Sequence, residues 1–139
     1  KRNPFCHIEC GYHYGRGFSA FGLILSSLGF FADNVKKEVY FCPFLLQKKI
    51  NLFFSTGTCW GNYRYLSNKK EELIKIDIMK GFIEVGRLTL KVKNSKIKKV
   101  EIVIDDIKKD FDFSIDKDLV RISFRKLEFA SKKIKIRIR

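Results

Sequence analysis

A chain of 139 residues has room for one domain and a sizeable core. Its 29 Lys and Arg against 15 Asp and Glu leave a formal charge of +14, which would suit nucleic acid or an anionic membrane surface. These charges alternate with Ile, Val and Phe and are interleaved with Asp and Glu, the pattern of a solvated sheet face, so nucleic acid is not expected as a partner.

The chain opens on Lys1 rather than Met, and the expectation is the C-terminal piece of a larger protein, with any targeting segment out of view. Its first stretch, Asn3-Pro4-Phe5-Cys6-His7-Ile8-Glu9-Cys10-Gly11-Tyr12-His13-Tyr14-Gly15-Arg16, packs acid, imidazole, phenol and guanidinium into one short run. Glu9 fits three roles: general acid or base, acceptor for hydroxyls, or a helix N-terminal charge. Arg16 either pairs with Glu9 and orders the loop, or clamps a ligand. A sugar site needs such fixed donors and acceptors, because each hydroxyl offers both. His13 alone reads as a loop histidine.

Four cysteines, at 6, 10, 42 and 59, are too few for a dense disulfide framework. They read as buried free thiols in a reducing compartment, so a cytoplasmic location is expected. Cys6, Cys10 and His13 have a C-x-x-x-C-x-x-H spacing, but no paired C-x-x-C knuckle accompanies it, so no metal or other cofactor is assigned. The opening stretch shows no nucleophile–base pair, no Gly-rich phosphate loop and no second carboxylate beside Glu9.

Phe18 to Phe31 is apolar on more than one helical face, so a helix buried on most sides is expected there. The uncharged run from Gly17 to Ala32 falls short of the roughly 20 residues that span a bilayer, and no transmembrane segment is assigned. Asp33-Asn34 turns the chain. Strands follow. Val39-Tyr40-Phe41 ends before Pro43, Ile50 to Phe54 is β-prone, and Tyr63 and Tyr65 resume alternation after Gly57-Thr58-Cys59-Trp60-Gly61. Trp60 could stack on a sugar ring, though the favoured place for it is the seam between sheet and helix.

Ile74, Ile76 and Ile78 share one face. Ile83 and Val85 share a face too, whereas Leu88, Leu90 and Val92 take the other parity, which places a β-bulge at Gly86-Arg87. Asn94-Ser95 turns the chain. Val100, Ile102 and Ile104, then Phe111, Phe113 and Ile115, then Val120, Ile122 and Phe124 follow as strands. Ile134, Ile136 and Ile138 close the chain with Lys and Arg on the opposite face, the dress of an exposed edge strand. So many short strands indicate an antiparallel sandwich.

Asn3-Pro4-Phe5 followed by Ile8-Glu9-Cys10-Gly11, His13-Tyr14 and Arg16 resembles the end of the catalytic region of glycoside hydrolase family 116, which includes the non-lysosomal glucosylceramidases. Phe21-Gly22-Leu23, Gly29-Phe30 and Phe53-Phe54-Ser55 to Trp60-Gly61 fit as well, so the resemblance covers about residues 2–61. It implies a barrel of paired helices ending in Phe18 to Phe31, and retaining β-glycosidase chemistry by two carboxylates upstream of Lys1. Glu9 and Arg16 match the family's sugar-holding Glu and Arg, and His13 follows its bacterial pattern. The resulting expectation is an α+β fragment. Residues 1–35 would end an α/α barrel and carry the substrate-binding loop; residues 36–139 would form an antiparallel β-sandwich-like region. Its partners would be a glycoside substrate and the upstream catalytic part of the same chain. The alternative is a non-catalytic β-sandwich module that binds carbohydrate or an acidic partner.

Overall fold

The structure, a computed structural model, describes residues 17–93 and 96–139. Alternation of large apolar and polar side chains dictates most of it. One helix, α1 (Gly17–Leu28), precedes eleven strands among the described residues: β1 (Phe30–Asp33), β2 (Glu38–Phe41), β3 (Lys49–Ser55), β4 (Cys59–Ser67), β5 (Glu72–Gly81), β6 (Ile83–Lys91), β7 (Val100–Ile104), β8 (Ile107–Lys108), β9 (Phe111–Asp116), β10 (Leu119–Ala130) and β11 (Lys133–Ile138). They form a five-stranded sheet in the order β1-β2-β6-β10-β9 and a six-stranded sheet in the order β3-β4-β5-β11-β7-β8. All the pairings are antiparallel except β2 with β6.

The inward faces of the two sheets make one core. Val39, Phe41, Leu88, Leu90, Val120 and Ile122 come from the five-stranded sheet. Tyr63, Tyr65 and the isoleucines at 74, 76, 102, 104, 134 and 136 come from the six-stranded one. Each aliphatic or Phe side chain among them contributes about 1.5–3 kcal/mol on burial, and β-branched Ile suits a pleated surface. Phe41 anchors one end: it stacks on Tyr63 at 4.8 Å and meets Phe54 edge-on at 5.3 Å.

Three sequence expectations are corrected here. The fold is a two-sheet β structure, not an α+β fragment ending an α/α barrel. Helix α1 touches only β1 and β3 among the strands it contacts substantially. Among its described side chains, Gly22, Leu23, Ser26 and Ser27 are exposed, Leu23 to 71%, so the expected burial does not extend to that face. It also stops earlier than expected. Gly29 takes φ +56°, a conformation a side chain would resist, and a Cβ there would meet Cys42 O at 1.9 Å. The chain therefore reverses, and Phe30 and Phe31 join β1 opposite Phe41 and Tyr40.

The third correction concerns β11. Its charged face suggested an edge, yet it lies in the middle of its sheet, between β5 and β7. The true edges of that sheet are β3 and β8. The expected bulge does fall at Gly86-Arg87: both amides donate to Lys37 O, at 2.8 and 3.0 Å, and the β6–β10 register shifts between Ser123 and Glu128. Asp33 turns the chain as expected, its Oδ1 accepting from Val35 and Lys36 N–H at 2.9 Å each. The Asn94-Ser95 turn lies outside the described residues. No described helix is long and apolar enough to cross a membrane.

Candidate functional site

The outer face of the six-stranded sheet gathers aromatic, amide and charged side chains on rigid strands. Its layout follows from β4, where Trp60, Asn62, Arg64 and Leu66 point outward while Cys59, Tyr63 and Tyr65 point into the core. The β3–β4 turn fixes the start of β4. Thr56 Oγ1 accepts from Thr58 N at 3.1 Å and Cys59 N at 2.9 Å, a local closure that Thr favours. A register shift between Trp60 and Gly61 then re-aims Trp60. Gly61 permits it: a Cβ there would lie 1.9 Å from Asp77 O.

Trp60 is 42% exposed and Phe53 37% exposed, and their ring centroids are 6.3 Å apart at 38°. Phe53 is the direct partner of Asn62, so it sits diagonal to Trp60 on the same face. The seam position favoured for Trp60 is therefore corrected; its ring faces outward. One turn of the pleat further along, Arg64 Nε and Nη2 both donate to Asp77 Oδ2, at 2.8 and 2.5 Å. Asn51 is the direct partner of Arg64 on the other side. It also lines a cavity of about 370 Å³ at the β3 edge, with Ser27, Phe44, Gln47 and Lys49. A second concavity of about 300 Å³ lies over β5 and β11, lined by Arg64, Lys75, Asp77, Asp106, Lys133 and Lys135 among others. Lys133 Nζ bonds Asp106 Oδ1 at 2.8 Å, and this partner raises the ammonium above its ordinary pKa.

The residues singled out from sequence as sugar-holding, Glu9, His13 and Arg16, lie outside the described residues, as do Cys6 and Cys10. Cys42 and Cys59 are free, and burial raises both thiols. No cluster of metal-ligating side chains occurs among the described residues. Sequence reading missed Phe53, Arg64 and Asp77. Period-two alternation did put Arg64 opposite the core tyrosines, but nothing local showed that Asp77 stands beside it.

No protein-family model and no curated protein matches the sequence. Among solved structures, that of alpha-L-rhamnosidase from Dictyoglumus thermophilum is similar over 88% of this chain, at 11% identity and a TM-score of 0.49. The chain spans 13% of that protein's length. This puts a glycoside hydrolase among its distant structural neighbours, at a likeness too slight to assign fold or activity, and it lends family 116 no support.

Proposed function

We propose that this domain is a non-catalytic module that binds polysaccharide on the outer face of its six-stranded sheet. The exposed Phe53–Trp60 pair carries the reading. A pyranose ring has an apolar face of C–H groups and a rim of hydroxyls. An aromatic platform desolvates the first, and fixed donors and acceptors satisfy the second. Asn62 and the Arg64–Asp77 pair stand on the same face and supply them. Two adjacent exposed aromatic rings on neighbouring strands cost solubility unless something covers them.

Trp60 is the sole tryptophan, so its fluorescence reports this face directly. Titration with soluble oligosaccharides, and pull-down on insoluble glycans, is expected to shift that emission and retain the protein. Phe53→Ala, which leaves the fluorophore in place, is expected to weaken binding by about 2 kcal/mol, roughly thirtyfold. A panel of glycans that leaves the emission unmoved would overturn the proposal, as would a Phe53→Ala variant that binds as well as the parent.

A second reading rests on the Asn3 to Arg16 motif: the domain belongs to a retaining β-glycosidase whose catalytic carboxylates lie elsewhere in the polypeptide. There Glu9, Arg16 and His13 would hold sugar hydroxyls. In the intact enzyme Glu9→Gln would then lower kcat/KM by about ten- to a hundredfold with the melting temperature little changed. Unchanged kinetics with a collapsed melting temperature would make Glu9 a structural ion-pair partner instead.

A further inference from the structure

Three cationic side chains occupy one cross-strand row on the outer face of the six-stranded sheet. Arg64 of β4 is the direct partner of Lys75 of β5, and Lys75 is the direct partner of Lys135 of β11. Direct partners on one face approach to about 4.5–5.5 Å at Cβ, and like charges placed so destabilise the sheet. Nearby, charges are matched: Arg64 with Asp77, Lys133 with Asp106. These pairs use both carboxylates that line the concavity over the row. Lys75 and Lys135 are half-buried, and among the described residues neither has an ion pair. Half-burial removes part of the water that would screen their repulsion.

An anion seated between the two ammonium groups reverses the sign of that repulsion. We infer that Lys75 and Lys135, with Arg64 beside them, bind the carboxylate or sulfate of an acidic sugar residue, so the polysaccharide taken by this face is anionic. The inference rests on the carbohydrate reading above. Trp60 lies four residues from Arg64 along β4, about 13 Å at the strand rise, so one glycan chain stacks at Trp60 and presents an acidic group at the row. A nucleic-acid strand carries a phosphate at every residue. It would run over Asp77 and over Glu71 and Glu101, which already sit among Arg137 and Arg139 on this face.

The test compares a neutral galactan oligosaccharide, an oligogalacturonate and a sulfated galactan of equal length, with a single-stranded DNA of equal charge. Trp60 emission and calorimetry on the parent, Lys75→Gln and Lys135→Gln give the affinities. Either acidic glycan is expected to bind about tenfold tighter than the neutral one, and each substitution to remove about that factor. Neutral-glycan affinity should hold, and the melting temperature should stay level or rise, because a repulsion has been relieved. Which acidic glycan prevails tells carboxylate from sulfate. Equal binding of acidic and neutral glycans overturns this inference alone, as does a melting temperature that falls in both variants. Tighter binding of the DNA overturns it in favour of a nucleic-acid surface. Failure of every glycan overturns the carbohydrate reading itself.

Discussion

Tyr63 and Tyr65 lie two residues apart on β4, both fully buried, and deleting one oxygen atom from each is expected to move stability in opposite directions. Tyr65 Oη donates to Glu72 Oε2 at 2.6 Å, and Glu72 is itself buried. Lys93 N–H also reaches that carboxylate, at 3.1 Å to each oxygen. Burial, then the bond to Glu72, pushes the Tyr65 phenol above its ordinary pKa, so it stays a donor at any ordinary pH. Tyr65→Phe removes a hydrogen bond to a charged group, worth about 1.5–3 kcal/mol. At about 3–4 °C per kcal/mol for a chain of this size, a loss near 2 kcal/mol lowers Tm by about 6–8 °C. The Tyr63 hydroxyl is also buried but has no hydrogen-bond partner among the described residues. Among the described residues nothing replaces the water that folding strips from it, a loss that costs about 1–3 kcal/mol. Phe at 63 keeps the ring stacked on Phe41 and sheds that cost, so a gain of about 1 kcal/mol is expected, about 3–4 °C. Thermal melts and urea titrations of the two single variants give both numbers. A destabilised Tyr63→Phe, or a neutral Tyr65→Phe, would refute the reasoning.

Asp105 sits at φ +48° and ties the β7–β8 turn to the β10–β11 turn, accepting from Lys132 and Lys133 N–H on one oxygen and from Ser131 N–H and Oγ on the other, all within 2.8–3.0 Å. Burial alone would raise its carboxyl, but the N–H groups of Lys133, Ser131 and Lys132 together outweigh that and hold it below the ordinary value. Its stabilisation is therefore complete above the unfolded-state pKa of about 4 and drains away as pH falls through the lower folded value. Asp105→Asn, which tolerates the same backbone, is expected to lose about 1–2 kcal/mol near neutral pH and to narrow that gap below pH 4; a gap independent of pH counts against the account. Lys109 Nζ pairs with buried Glu128 at 2.5 Å, so Lys109→Met should cost about 3–5 kcal/mol and a second change, Glu128→Met, should recover most of it, both read by urea midpoint. Gly61→Ala forces a Cβ against Asp77 O and is expected to cost at least about 2 kcal/mol and to shift Trp60 emission, whereas Gly57→Ala, with open space around it, should do neither.

Which face of the central strands is buried was legible from the residues alone, whereas on β9 the apolar row ends with Phe113 and Ile115 in solvent. Ile74, Ile76 and Ile78, like Ile134 and Ile136, alternate with charge, and only one face of such a strand can leave water. The slip at Gly86 was legible for the same reason, since a change of parity in a buried strand demands an extra residue. Which strands are neighbours was decided only by tertiary structure. β11 pairs with β5 some sixty residues earlier, and no local pattern encodes that meeting, so its charges suggested an edge. The cationic row exists only through that pairing: Lys75 and Lys135 are each unremarkable in their own strand and become a site when placed face to face. The apolar run before β1 shows the converse failure. Composition records how apolar a segment is, not whether the rest of the chain comes to cover it, and α1 leaves Leu23 in solvent while Gly29 turns Phe30 into a sheet.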